Sequence, residues 1–214
     1  MALTLYAHPL SSYCWKVLIA LYENGVQFDY RQLGEEEANA EMARLWPIGK
    51  MPVLTDDGRT IVESSIIIEY LDVHHSGPAP LIPADPDEAL EVRLLDRFFD
   101  NYVMTPVSQI VFNRFCPPEA RNAFGVEQAR VLLGKAYAWL EDRLAGRSWA
   151  AGDAFSLADC AAGPALHYGE KVHPFRADFP VLAAYLDRLE SRPTFARAIE
   201  EAKPFSHMFP QEPS

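Results

Sequence analysis

A chain of 214 residues is long for one small core and comfortable for two. Its formal net charge of −11 argues against nucleic acid as a partner, because phosphate binding requires a clustered positive face; no apolar run approaches the roughly 18 residues that a membrane span requires. Three widely spaced cysteines, Cys14, Cys116 and Cys160, match neither a disulfide nor a zinc pattern and, with no leader-like segment at the start, point to a reducing cytoplasm.

The first stretch alternates between strand and helix. Leu3 to Ala7 reads as a short apolar strand, and Cys14, Val17, Leu18 and Leu21 then recur at helical spacing. Asn24-Gly25 supplies the left-handed-tolerant residues expected beyond a helix end. Val26, Phe28 and Tyr30 alternate as a second strand, and Val53 to Thr55 and Thr60 to Glu63 flank Asp57-Gly58 as a hairpin. Ser65, as a plain cap, opens a helix through Ile66, Ile67, Tyr70 and Leu71. This order, βαβ, a connecting segment, then ββα, predicts a thioredoxin-like α/β unit over residues 1–76 with a parallel first strand pair.

Gly77, Pro78, Pro80, Pro83 and Pro86 mark a stiff linker over residues 77–86. Strand signals then vanish, which predicts an all-helical bundle over 87–214. Asp85-Pro86-Asp87-Glu88 is a dense helix start, opening a helix to about Phe115 with a kink expected at Pro106. A second long helix is expected from Glu119 to Leu144, ended by Gly146. Ser156-Leu157-Ala158-Asp159 is a capping-box start, with Phe155 placed to staple the entry of a mostly buried helix. Two more helices are expected, Phe179 to Ser191 and Thr194 to Ala202, before a tail with no strong pattern beyond Pro204.

Two segments carry chemistry. Ser11-Ser12-Tyr13-Cys14 places hydroxyls and a thiol where a strand hands over to a helix, and free N–H groups at a helix start favour negative charge. Lys50-Met51-Pro52-Val53-Leu54 places a proline just before a strand, where a cis bond exposes the Met51 backbone to an extended ligand. Together they describe a site that grips a peptide-like molecule and steadies an anion beside it. His74 and His75 read as a helix end, and no set of metal-ligand partners accompanies them.

These motifs, with Pro47-Ile48-Gly49 before Lys50, Glu63-Ser64 and the capping box at Ser156, resemble the cytosolic glutathione S-transferase family nearly end to end. Ser11 to Val17 is most similar to the serine-using theta and zeta classes, of a bacterial type; Trp46 stands where many relatives carry asparagine. The resemblance implies glutathione as co-substrate, no metal, a small hydrophobic electrophile as second substrate, and a homodimer. It gives Ser11 the role of donating a hydrogen bond that keeps the glutathione sulfur ionised, with Cys14 as the rival. A cysteine on the buried face of the first helix is equally read as core, and a serine before a helix as a cap.

Ser12, Lys50, Met51, Pro52, Glu63 and Ser64 are the expected glutathione contacts: Met51 through its backbone, Lys50 toward the glycine carboxylate, Glu63 and Ser64 toward the γ-glutamyl end. Arg97, Phe98, Tyr102 and Tyr168, with Met104, are candidates for the electrophile site, and each is also explained by packing or a surface ion pair. The alternatives are a zeta-like cis–trans isomerase of the maleylacetoacetate or maleylpyruvate type, and a non-catalytic glutathione-binding relative. Tyr13 stands where the isomerases usually carry cysteine.

Overall fold

The computed structural model describes residues 3–78 and 80–211. Met1, Ala2, Ala79 of the expected linker and residues 212–214 at the end of the expected helical unit lie outside the described residues.

Four strands form one mixed sheet in the order β2-β1-β3-β4: β1 (Leu3–Ala7), β2 (Asp29–Gln32), β3 (Val53–Asp56) and β4 (Arg59–Val62). β1 runs parallel to β2, with Leu5 opposite Tyr30, and antiparallel to β3, with Leu5 opposite Leu54. Helix α1 (Ser12–Glu23) makes the crossover, and α3 (Ser64–His74) follows the hairpin. That hairpin turns on Asp57 and Gly58, both at positive φ, as a tight two-residue turn requires. The second strand begins at Asp29 rather than Val26, so Val26 and Phe28 serve as packing residues ahead of it.

The expected connecting segment contains a helix, α2 (Glu36–Leu45). Its apolar stripe is narrow: Ala38 and Met42 pack with Tyr6, Leu33 and Val53 as a small satellite core. Glu41 pins it to the sheet, accepting from Tyr6 at 3.1 Å and from Arg31 at 2.6 and 3.1 Å.

The helical half comprises α4 (Pro86–Phe98), α5 (Thr105–Phe115), α6 (Ala123–Leu144), α7 (Leu157–Val172), α8 (Pro180–Glu190) and α9 (Pro193–Ala202). Asp85 caps α4 as expected, accepting from the N–H groups of Asp87 and Glu88 at 3.0 Å. α4 and α5 are joined by a π-helical turn, Phe99–Met104. Pro106 lacks an N–H and crowds the preceding turn, so the irregularity falls just before it. Thr105 N–H bonds the Asp100 carbonyl, five residues back.

α6 starts at Ala123, capped by Asn122, and not at Glu119, which lies in a short 3₁₀ turn (Pro118–Ala120). Phe155 packs edge-on against Trp149 at 5.1 Å and beneath the Arg192 guanidinium at 4.1 Å. The tail folds into a 3₁₀ segment, Lys203–Met208.

The expectation of two cores is corrected. One buried cluster runs from Leu5 and Leu54 of the sheet through α1 into α4, α6, α7 and α8, because α1 packs on α7 and α9. The halves are further clamped by Arg192, which grips Glu23 with two bonds of 2.6 Å.

Candidate functional site

A cleft of about 350 Å³ opens between the two halves. Trp46, Lys50, Met51 and Pro52 from the loop before β3, Glu63 and Ser64 from the start of α3, and Tyr13 from α1 form one wall; Arg97, Asp100 and Asn101 form the other. The Met51–Pro52 peptide is cis, and β3, which begins at the next residue and is paired on both sides, anchors the end of that loop. Glu63 adopts φ 70° and ψ 116°, a conformation that non-glycine residues rarely take and that clusters at functional sites. It turns the chain so that buried Ser64 begins α3 at the cleft. The first turn of α3 holds no acidic side chain to offset the positive end of the helix dipole.

Five expected contacts therefore meet: Lys50, Met51, Pro52, Glu63 and Ser64. Ser11 and Ser12 lie beside the cleft and do not line it. Ser11 caps α1, its Oγ accepting from Cys14 N–H at 3.4 Å, and its own N–H donates to the His8 carbonyl at 3.0 Å. Ser12 is buried as the first residue of α1. Tyr13 does line the cleft, a residue that sequence reasoning weighed only as a departure from the isomerase pattern. Burial, aided by the charge of Asp100, pushes the Tyr13 phenol up to about 12, with a Thr105 hydrogen bond opposing. It remains a neutral donor at physiological pH.

Cys14 is fully buried, with the His8 N–H 3.5 Å from its Sγ. Burial pushes its thiol up to about 11, against the lowering pull of the Ser11 hydroxyl and the His8 N–H. Its sulfur is a neutral thiol within the core in this state.

Behind the cleft lies a charge cluster that the sequence did not announce. Lys16 is 1% exposed and bonds Asp100 Oδ2 and Ser65 Oγ at 2.8 Å each, and also pairs with Asp96. Ser65 donates to Asp96 at 2.8 Å. Arg97, at the surface end, bonds Asp96 Oδ2 at 2.7 Å and Asp100 Oδ2 at 2.9 Å and contacts Ser65. Ser65 is thus not the plain cap expected of it: α3 starts one residue earlier, and the hydroxyl faces inward to the ions. Burial raises the Asp100 pKa while Lys16 pulls it down. The partners lie 49 and 84 residues from Lys16, which no local pattern reveals.

The electrophile candidates scatter. Arg97 lines the cleft. Phe98 stacks on Trp139 at 4.3 Å and leans on half-exposed Tyr102 at 5.1 Å, on a face of the bundle that does not line the cleft. Met104 is core. Tyr168 is buried, donates to the Leu10 carbonyl at 2.8 Å, and lines a second cavity under the tail. His75 pairs with Asp56 at 2.6 Å, and among the described residues no group of three or more His, Cys, Asp or Glu could hold a metal ion. No helix among them is long and apolar enough to cross a membrane.

Residues 5–79 match the family model for the glutathione S-transferase N-terminal domain, and 103–193 match that for the C-terminal domain. The chain is 30% identical to glutathione S-transferase F13 of Arabidopsis thaliana, covering 92% of this chain and 94% of that one. It is 28% identical to a probable maleylacetoacetate isomerase of Caenorhabditis elegans, covering 94% of each. The fold superposes with a TM-score of 0.81 on a glutathione S-transferase of Methylobacterium radiotolerans in complex with glutathione sulfonate, at 32% identity over 93% of this chain and 95% of that one. The chain belongs to the glutathione S-transferase family.

Proposed function

We propose that this member of the family is a serine-type glutathione transferase, with a glutathione-binding unit over residues 1–76, the linker 77–86 and a helical unit over 87–214. The observation that carries the reading is the meeting of Lys50, the cis Met51–Pro52 peptide, Glu63 and Ser64 in one cleft next to the capped start of α1. The Met51 N–H and C=O pair with the cysteinyl backbone of the tripeptide, as an added strand would. Lys50 faces the glycine carboxylate. Ser64 and the α3 N-terminal amides hold the γ-glutamyl carboxylate, and Glu63 its ammonium. Ser12 supports this start of α1 from within. Ser11 donates to the sulfur, and Tyr13 stands as a second neutral donor along the same wall.

An ordinary thiol near pKa 8.5 is only a few per cent ionised at neutral pH, and about two units of lowering require about 2.7 kcal/mol of preference for the thiolate. One charge-assisted hydrogen bond plus a helix N-terminus supplies a gain of that order. The sulfur pair then forms a C–S bond to an apolar electrophile, the leaving group departs with its own pair, and the thiol proton passes to solvent.

The second reading is isomerisation, in which glutathione adds, the bond rotates and glutathione leaves unchanged. The Ser11-Ser12 pair and the similarity to a probable maleylacetoacetate isomerase support it. Turnover of maleylacetone with little conjugation of chlorodinitrobenzene distinguishes the two. Apolar side chains left exposed on α3 and α4, Ile66, Val73, Leu90 and Leu94, suit the homodimer interface of this reading. Its three free cysteines suit the cytoplasm.

The deciding experiment titrates glutathione and follows thiolate absorbance in wild type, Ser11→Ala and Cys14→Ala. Ser11→Ala is expected to abolish the thiolate signal and lower kcat/KM by about 10- to 100-fold, the worth of a hydrogen bond to a charged group. Cys14→Ala is expected to keep both. Loss in the Cys14 variant alone reverses the assignment, and no heat with glutathione in calorimetry removes the reading altogether.

A further inference from the structure

The cavity under the tail, about 680 Å³, lies where α5, α7, α9 and residues 203–211 meet the loop between β1 and α1. Its lining carries Arg114, Lys171 and Lys203 and, among the described residues, no carboxylate. That is an exception in a chain of net charge −11. The glutathione cleft includes Glu63 and Asp100, and a third cavity between α1, β2 and α9 includes Glu201.

Two of these cations are occupied. Arg114 donates to the Pro210 carbonyl at 3.2 Å and helps hold the tail, and Lys203 pairs with Glu200. Lys171 differs: it makes no ion pair or hydrogen bond among the described residues, and Glu190 acts on it only at a distance. Its ammonium sits 5.8 Å from the Tyr168 ring centre and 5.7 Å from that of Phe209. Those rings stack 5.6 Å apart at 15°. A cation over an aromatic pair is held, yet its charge is not neutralised. Burial lowers its pKa, as expected of an ammonium short of counter-charge.

We propose that this cavity takes a planar aromatic anion, its ring against the Tyr168–Phe209 pair and its carboxylate or sulfonate on Lys171, and that such anions are the acceptor class of the transferase. Only the acceptor clause rests on the glutathione reading. The cavity wall is continuous with the catalytic loop: Leu10 lines it, receives the Tyr168 hydroxyl at 2.8 Å and precedes Ser11 in the chain. An acceptor seated there lies against Leu10, the residue before Ser11, and leaves the cleft lined by Tyr13, Lys50 and Ser64 to the tripeptide.

The test begins without glutathione. Anilinonaphthalene sulfonate and its neutral analogue N-phenyl-1-naphthylamine are titrated by fluorescence into wild type, Lys171→Gln and Phe209→Ala. Lys171→Gln is expected to weaken the sulfonate about fivefold, the scale of one partly exposed charge contact, and to leave the neutral probe within about twofold. Phe209→Ala is expected to weaken both. Sulfonate affinity unmoved by either variant, or equal weakening of both probes by Lys171→Gln, overturns the assignment.

Turnover then tests the acceptor clause: the kcat/KM ratio of chlorodinitrobenzoate to chlorodinitrobenzene is expected to fall about fivefold in Lys171→Gln. An unchanged ratio overturns that clause. Absence of all conjugation, with the probe titration as expected, overturns the transferase reading together with the acceptor clause and leaves the anion site standing.

Discussion

Two buried carboxylate centres, built on opposite principles, hold the halves of this molecule. In the helical half, fully buried Asp159 accepts only from neutral donors: the N–H of Ala150 at 2.8 Å, the N–H and hydroxyl of Ser156 at 2.9 and 3.0 Å, and the Tyr185 hydroxyl at 2.5 Å. Burial raises its pKa and those hydrogen bonds oppose the rise. Behind the cleft, Asp96 and Asp100 are held by ions, Lys16 from α1 and Arg97 from α4. The first centre lies within the helical half and lines none of the three cavities described above. The second joins α1, α3 and α4, and its Asp100 and Arg97 are also cleft residues. A scaffold can be fixed by either device, but only the second shares its residues with the cleft.

The largest effect is expected at Asp159→Ala. It leaves the Ala150 N–H, the Ser156 groups and the Tyr185 hydroxyl buried without an acceptor, at about 1–3 kcal/mol for each stranded group, for a loss on the order of 5 kcal/mol. That is comparable to the whole stability of an ordinary domain, so urea unfolding is expected to find little folded protein. Asp159→Asn retains one acceptor and is expected to lose less, with glutathione affinity unchanged. A loss below about 1 kcal/mol in the alanine variant would show that the neutral donors find water, and the contrast collapses.

Lys16→Met comes next. Removing one partner of a buried ion pair costs about 3–5 kcal/mol, because Asp96 and Asp100 are left charged with only Arg97 beside them. Here the expected signature is double: lower stability in urea and weaker glutathione binding by calorimetry, since the wall carrying Asp100 and Arg97 shifts. Adding Asp100→Asn to Lys16→Met is expected to restore part of the stability. Stability loss with unaltered glutathione affinity would make this cluster a scaffold like the Asp159 centre.

The two centres also differ in how far the sequence disclosed them. Asp159 sits three residues after Ser156, a spacing with a known capping geometry, so it was legible in the letters alone. The hairpin at Asp57-Gly58, the Met51–Pro52 site and the Asp85-Pro86 helix start were legible for the same reason: each is a short-range backbone demand met by particular residue types. Lys16 and Asp96 look like solvated charges on amphipathic helices, and only the packing of α1 and α4 on α7 makes them partners. α2 escaped because two buried residues, Ala38 and Met42, are too narrow a stripe to stand out among charges. Arg97 lines the cleft while its neighbour Phe98 turns to Trp139 on another face, since adjacent helical positions diverge by about 100° and only the tertiary fold decides which is inward.

The smallest expected effect, and the sharpest probe of local against long-range control, is at His8. Its Nδ1 accepts from the Leu10 N–H at 3.1 Å, its carbonyl accepts from Ser11, and Phe205 of the tail sits edge-on at 5.9 Å. A proton on Nδ1 abolishes the first of these bonds. Burial depresses the His8 pKa below its ordinary value near 6.5, so the unfolded chain binds the proton first as pH falls. Stability contributed by neutral His8 is therefore complete above the ordinary imidazole range and declines as pH drops through it toward the folded value. His8→Asn offers an uncharged acceptor near the same place and is expected to remove that part of the slope. Urea midpoints of wild type and variant should agree near neutrality and separate by a small margin at acid pH, wild type being the lower; parallel curves across the range would mean that the loop carrying Ser11 is set by the packing around it and not by its own hydrogen bonds.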